Sequence, residues 1–475
     1  MSDTKSLLNR ISAFRERLER TPALLQGDLS GDPTAAMSLA VKQALQPAWV
    51  SSTLRQIVSA PASDTALPTQ LIGRARRLLE QARELVTVQR RIGEDLFFLR
   101  LESSTDGQVD PLVSYQRATV AATDATLRLA QAMPSSAEHQ SKICDGLETL
   151  LQSIRDRLGL TTSSLDRRRT DWGRIERIAR LLCDLQARRL VSFSSFAELA
   201  EELLDEARRG LPMRWLTAPG EPVARTVAAH ALNVAQVLAR IAPNDFEWAS
   251  QAFVPVSLGL IMDVGMLAVS ATTLEKEGVL DPAEWNGIER HPATGAALLS
   301  ELMPELGPLA EAVAMHHERL DGTGYPASRK GDDVSTLARM LALADAYAAM
   351  MCDRPYRPAL DPRTAMTDLL MMAEQGRLDR ELAESFLKLS FHPVGTVVEL
   401  TDGRVAVVVS THTGRINLRA TTRPVVAVLT DVQGSMLPKP EFIDLAGSEY
   451  GGVVRALGTA EKRRILAAQH PDLCF

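Results

Sequence analysis

Two imidazoles, two carboxylates and a glycine-rich turn stand side by side in His316-His317-Glu318-Arg319-Leu320-Asp321-Gly322-Thr323-Gly324-Tyr325-Pro326. Imidazole is the commonest metal ligand among side chains. Adjacent histidines ligate one centre only where the chain turns sharply or the metal sits where the two ring vectors converge, and Gly322 and Gly324 would let backbone N–H groups come close to an anion. The mixture suits a metal site with a phosphate-sized opening. Taken alone, a His-His pair is more often a solvated helix end, so the reading depends on what else the chain can bring to it.

His230 sits in VARTVAAHALNVAQVLARIA, where Val227, Val234 and Ile241 mark an apolar helical face that the histidine shares. Asp263 is flanked by Leu260 and Leu267, and Asp345 follows Leu337 and Leu341, so both carboxylates are expected to point inward. A buried carboxylate needs a cation or strong donors. His291 is expected to end a helix announced by the capping box Asp281-Pro282-Ala283-Glu284, with Pro292 starting the next helix and fixing the imidazole at a corner. His230, Asp263, His291, His316, His317 and Asp345 thus form a candidate ligand set drawn from five segments. Any one of them is more readily a core polar group with a local partner. All six together point to a hard or borderline divalent ion, iron, manganese or zinc, in a catalytic site. Two ions bridged by one carboxylate would polarise a phosphoryl oxygen and generate hydroxide for in-line attack.

Such a set needs a scaffold. A chain of 475 residues predicts two or three domains, and 45% hydrophobic with 24% charged residues is the balance of a soluble globular protein. Sparse aromatics (4%) beside abundant Leu and Ala favour a mainly α fold. The net charge of −6 argues against general nucleic-acid binding. The four cysteines are scattered without a CxxC pair, which excludes a zinc finger or disulfide framework and fits reduced thiols. The N-terminus lacks a signal-type apolar core, and the longest apolar run, from Ala252 to Met262, stops at Asp263 well short of a span; a cytoplasmic protein with no membrane contact is expected.

Leu7, Ile11, Phe14 and Leu18 predict a helix over residues 5–20, and helical patterns recur over 36–47, 68–101, 111–133, 138–158, 171–190 and 194–209, with Gly159 among the breaks. The sequence divides into an all-helical region, 1–212; a second helical unit, 213–393, where the histidines concentrate; and a small β-rich extension, 394–475. In the extension, Val394–Leu400, Val405–Ser410 and Val425–Leu429 read as strands, with a hairpin at Asp402-Gly403.

From about Val223 to Pro358 these residues resemble the HD-GYP family, a branch of the HD superfamily of metal-dependent phosphohydrolases whose characterised members hydrolyse cyclic di-GMP. The resemblance rests on HHExxDGxGYP at His316–Pro326, on Leu274-Glu275-Lys276-Glu277-Gly278-Val279-Leu280 leading to Glu289-Arg290-His291-Pro292, and on Ala342-Leu343-Ala344-Asp345 leading to Arg354-Pro355-Tyr356-Arg357. It implies a helical HD-GYP domain holding one or two divalent ions, iron or manganese foremost. One ion would be bound by Asp263, His291, His316 and His317, the other by His230, Asp263 and Asp345, with Asp263 as the catalytic bridge. Gly322, Gly324, Tyr325, Arg354 and Arg357 would face cyclic di-GMP or a related phosphodiester, Tyr325 offering a ring face to guanine. For Arg354 and Arg357 the alternative is a helix terminus with cations near its dipole.

The family's name-giving His-Asp pair sits in a segment like LHDIGK, and here the matching residues are Ile261-Met262-Asp263-Val264-Gly265-Met266. Met262 supplies no nitrogen, and Met266 removes an ammonium. Thr226 and Ala348 stand where other members carry a further carboxylate. Two functions follow as expectations: a cyclic-di-GMP phosphodiesterase with a weakened site, or an inactive binding or scaffold module acting through protein partners. Hydrolysis of a different phosphate ester comes third. The N-terminal helices are the expected surface for a homodimer or a signalling partner.

Overall fold

The structure is a computed structural model and describes residues 69–98, 116, 119–120, 137–218, 222–386, 392–411, 423–447, 451–458 and 461. The helices expected over 5–20 and 36–47, and nearly all of 111–133, lie outside the described residues. What is described is mainly α-helical, with a small antiparallel sheet on the C-terminal side.

Helix α1 (Thr69–Phe98) buries Leu78, Ala82, Leu85 and Ile92 and packs on α2 (Ala137–Gln186), where Arg74 bonds both Asp145 and Glu148. The expected break at Gly159 does not occur, and α2 runs unbroken for 50 residues. A helix-interior glycine costs only about 1 kcal/mol against alanine. The buried stripe Leu151, Ile154, Leu158, Thr161, Leu165 continues through it at three- and four-residue steps.

α3 (Ser194–Arg208) buries Phe196, Leu199, Ala200, Leu203 and Leu204. The main core contains these side chains together with apolar ones from the C-terminal part of α2 and from the helices as far as Phe386, so the hydrophobic core runs straight past residue 212. The segment leading into α4 (Val223–Ile241) is held by side-chain amides acting as a strand partner. Asn233 accepts from Leu216 N (2.9 Å) and donates to Leu216 O (2.8 Å), and Gln236 does the same for Arg214 (3.0 and 2.8 Å). Beneath it the Arg214 guanidinium bonds buried Asp171 of α2 and Glu206 of α3.

α4 and α9 (Thr336–Met350) are the central helices, buried on nearly every face, which explains their alanine-rich sequences. Around them lie α5 (Phe253–Ile261), a 3₁₀ turn (Val264–Ala268), α6 (Pro282–Glu289), α7 (His291–Leu302), α8 (Gly307–Met315), α10 (Pro362–Glu374) and α11 (Arg380–Phe386).

The sheet contains β1 (Val397–Leu400), β2 (Val405–Ser410), β3 (Val425–Thr430), β4 (Met436–Asp444) and β5 (Val453–Ala456) in the order β4-β3-β2-β1-β5. The β1–β2 hairpin turns at Asp402-Gly403 with Gly403 at φ +82°, pairing Val397 with Val407. β4 and β5 carry no clear alternating signal. Pro438 and Pro440 lie within β4, which fits its place at the sheet edge, where a missing N–H can face away from the ladder.

Candidate metal centre

Asp263 leaves the last turn of α5, with Met262 as the helix C-cap, and is buried. His291 opens α7 rather than closing the helix before it: the Asp281 capping box forms as expected, but α6 stops at Glu289 and a single residue, Arg290, joins the two. His316 is the C-cap of α8, and His317 follows in the turn. His230 lies mid-α4 and Asp345 mid-α9. The fold brings all six together around Asp263.

His291 Nε2 lies 3.2 Å and His316 Nε2 3.5 Å from Asp263 Oδ1, and the two Nε2 atoms are 3.2 Å apart. Asp263, His291, His316 and His317 form one group whose ligand atoms lie within 4.8 Å of one another, and His230, Asp263 and Asp345 form another. Asp263 belongs to both.

The ring tautomers decide which group fits a cation. His291 Nδ1 donates to Ile288 O and His316 Nδ1 to Val313 O, each at 2.6 Å, so both Nε2 atoms face each other and the Asp263 carboxylate, a place for either a proton or a cation. Buried acceptors pointing at one spot need a positive charge there. Although burial opposes it, the bonds to His291 and His316 hold the Asp263 carboxyl well below its ordinary value. The contest between burial and Asp263 ends with the His316 imidazole raised. Burial and the neighbouring His316 push His317 well below the ordinary histidine value, leaving it neutral and able to donate a lone pair. This four-residue donor set fits a divalent ion.

The second group is closed by a hydrogen bond. His230 Nε2 is 2.8 Å from Asp345 Oδ1 and 3.8 Å from Asp263 Oδ2, while Arg354 Nη2 approaches His230 Nδ1 at 3.4 Å. Arginine only donates, so Nδ1 is the acceptor and Nε2 carries the hydrogen bonded to Asp345. A cation at Nε2 would have to displace that hydrogen bond.

The loop after His317 has its own internal order. Glu318, fully enclosed, accepts from Ala327 N (2.7 Å) and Arg329 N (3.0 Å). Gly322 sits at φ +81°. A Cβ on Gly324 would lie 2.3 Å from Arg319 N and 2.5 Å from His317 O, so this glycine serves close packing of the loop on itself. Tyr325 stacks on His317 with ring centroids 4.8 Å apart and planes 24° apart, so one ring face expected to meet a guanine is already used. The Arg357 guanidinium reaches the carbonyls of Ala349 (2.8 Å) and Met350 (3.4 Å) at the end of α9, as in the helix-terminus alternative, and that of Pro358 (3.1 Å). Arg354 alone of the pair reaches the cluster.

Two residues that matter here were not singled out from sequence. Glu318 stood in the motif without a role. Gly265 is the closer constraint: a Cβ there would meet His291 O at 2.1 Å, His291 C at 2.9 Å and Gly295 N at 3.0 Å. Only glycine lets α7 deliver His291 to Asp263.

Residues 213–382 match the model of the HD domain family, and residues 397–463 match a KOW domain associated with HD domain. A cyclic di-GMP phosphodiesterase of Pseudomonas aeruginosa is 37% identical over 156 residues, 32% of this chain and 37% of that protein. A 3'3'-cGAMP-specific phosphodiesterase of Vibrio cholerae is 39% identical over 134 residues, 28% of this chain and 27% of that one. A cyclic di-GMP phosphodiesterase response regulator of Xanthomonas campestris is 37% identical over 117 residues, 24% of this chain and 30% of that one. The chain therefore spans well under half the length of these relatives. Among the described residues no helix is long and apolar enough to cross a membrane. Residues 213–382 therefore form an HD domain, similar over this stretch to phosphodiesterases of cyclic di-GMP and 3'3'-cGAMP.

Proposed function

We propose that this domain binds cyclic di-GMP or a related cyclic dinucleotide at a cation held by Asp263, His291, His316 and His317, and hydrolyses it slowly. The observation that carries the reading is the convergence of two imidazole Nε2 atoms and a carboxylate on one point, 3.2–3.5 Å apart. The relatives that act on cyclic di-GMP or 3'3'-cGAMP give the substrate class. By donor type the ion is iron, manganese or zinc, with iron or manganese favoured by the resemblance to HD-GYP proteins, and when bound it would polarise a phosphoryl oxygen and acidify an attacking water. The carbonyls of Ile288 and Val313 fix the ring tautomers that face it. Arg354, beside His230, is the cation placed to meet a phosphate; Tyr325 lies against His317, and Gly322 belongs to the same loop as Tyr325.

Slow turnover follows from Met262 and Met266. Met262 is fully enclosed in the main core, where a thioether offers neither a nitrogen ligand nor a reason for a second ion to settle. The His230–Asp345 hydrogen bond works in the same direction and favours the second reading, a binding module without turnover that signals through its partners. In that second reading the partner contacts run through residues 1–212.

The test is turnover of cyclic di-GMP and 3'3'-cGAMP by the manganese-loaded full chain, with Met262→His/Met266→Lys alongside. Weak wild-type activity that rises in the double variant supports the reading. Efficient wild-type turnover would remove the argument from the methionines, and binding without turnover in both would favour the binding module.

A further inference from the structure

We infer that Trp285 is a stacking platform for one base of the cyclic dinucleotide, at the rim of the metal centre; this rests on the function proposed above. α6 is an odd place for the bulkiest side-chain type, because none of its residues is buried and Trp285 remains 46% exposed. The helix does not need the indole as an anchor. Its order comes from the Asp281–Glu284 capping box and from Lys276, whose Nζ bonds Glu284 at 2.6 Å.

The ring lies at the end of a row that starts in the cation group. His317 stacks on Tyr325, and Tyr325 meets Trp285 edge-to-face at 6.3 Å and 73°. Tyr325 is held between these two neighbours, with burial pushing its phenol up. Trp285 is the member of the row with a large area open to solvent. A phosphate held at the cluster carries its base outward by one sugar, and an exposed indole two ring contacts away is where that base finds a partner. Base–aromatic stacking tolerates any base because every base has a π-face, so Trp285 raises affinity without itself choosing between guanine and adenine.

The test titrates the manganese-loaded full chain with cyclic di-GMP, with 3'3'-cGAMP and with inorganic phosphate, a probe that has no base. Trp285→Ala is expected to weaken both cyclic dinucleotides by about 5-fold to 150-fold, Trp285→Phe to restore most of the binding, and phosphate affinity and bound manganese to stay unchanged. If the wild type binds a cyclic dinucleotide and Trp285→Ala binds it equally well, the inference falls and the proposed function stands. Should Trp285→Ala lose phosphate and manganese as well, the residue is a structural support and the inference again falls. A wild type that binds manganese but neither cyclic dinucleotide overturns both.

Discussion

Replacing Gly265 by alanine should loosen the metal centre without touching a ligand. The added methyl would sit 2.1 Å from His291 O and 3.0 Å from Gly295 N, both backbone atoms with no side-chain freedom to yield. Restoring ordinary contact, about 3.5 Å, requires the start of α7 to move by roughly 1.4 Å. That shift is comparable with the margin in the 3.2 Å separations linking His291 to Asp263 and to His316. Overpacking of this kind costs about 1–3 kcal/mol in stability. Misplacing a ligand should weaken the ion by at least the roughly 10–100-fold typical of disturbing the groups that orient ligands. Thermal melting of the apo protein reads the first effect, and manganese titration calorimetry the second. Gly278→Ala, at a glycine with no atom within 4 Å of the added Cβ, is the control and should leave both unchanged. Wild-type manganese affinity in Gly265→Ala would refute the claim that this close approach sets the His291–Asp263 geometry.

Three further outcomes are expected. Asp171→Asn strips a carboxylate from the buried Arg214 guanidinium, which keeps only Glu206 at 3.2 Å, and should lower stability by about 3 kcal/mol in urea denaturation; an unchanged midpoint would mean the pair is not buried as described. Burial, helped by the nearby Arg363 charge, pushes the His392 imidazole down to about 4 from 6.5. Its contribution is therefore intact above pH 6.5 and lost as pH falls toward 4, up to about 3 kcal/mol, because the unfolded chain takes up the proton first. A pH series of melting curves on wild type and His392→Phe checks this, and identical acid sensitivity in the two would contradict it. Saturating the protein with manganese at a hundred times its dissociation constant should stabilise it by about 2.7 kcal/mol, and a chelator should reverse the gain; a melting temperature indifferent to both would count against a bound ion.

The candidate ligands were legible because inward-facing His and Asp side chains on otherwise apolar helices are costly without a shared partner, and the HHExxDGxGYP string anchors them. Where they meet is a property of packing between distant helices. Gly265 carried no signal of its own: a glycine in a one-turn segment looks like any other until α7 is seen lying on it. The roles of Arg354 and Arg357 were equally indistinct, since two arginines three residues apart differ only in whether the backbone aims them at a helix end or at His230. Gly159 was misleading because propensity is a weak force beside a continuous buried stripe, and β4 and β5 were missed because edge strands need not alternate.

The central claim is that Asp263, His291, His316 and His317 make a cation site, and metal stoichiometry tests it most directly. The wild-type chain, stripped and then titrated with manganese, should take up at least one tightly held equivalent, and folded Asp263→Asn should bind it at least 100-fold more weakly. Equal uptake by the two proteins, or none by the wild type, would contradict the account.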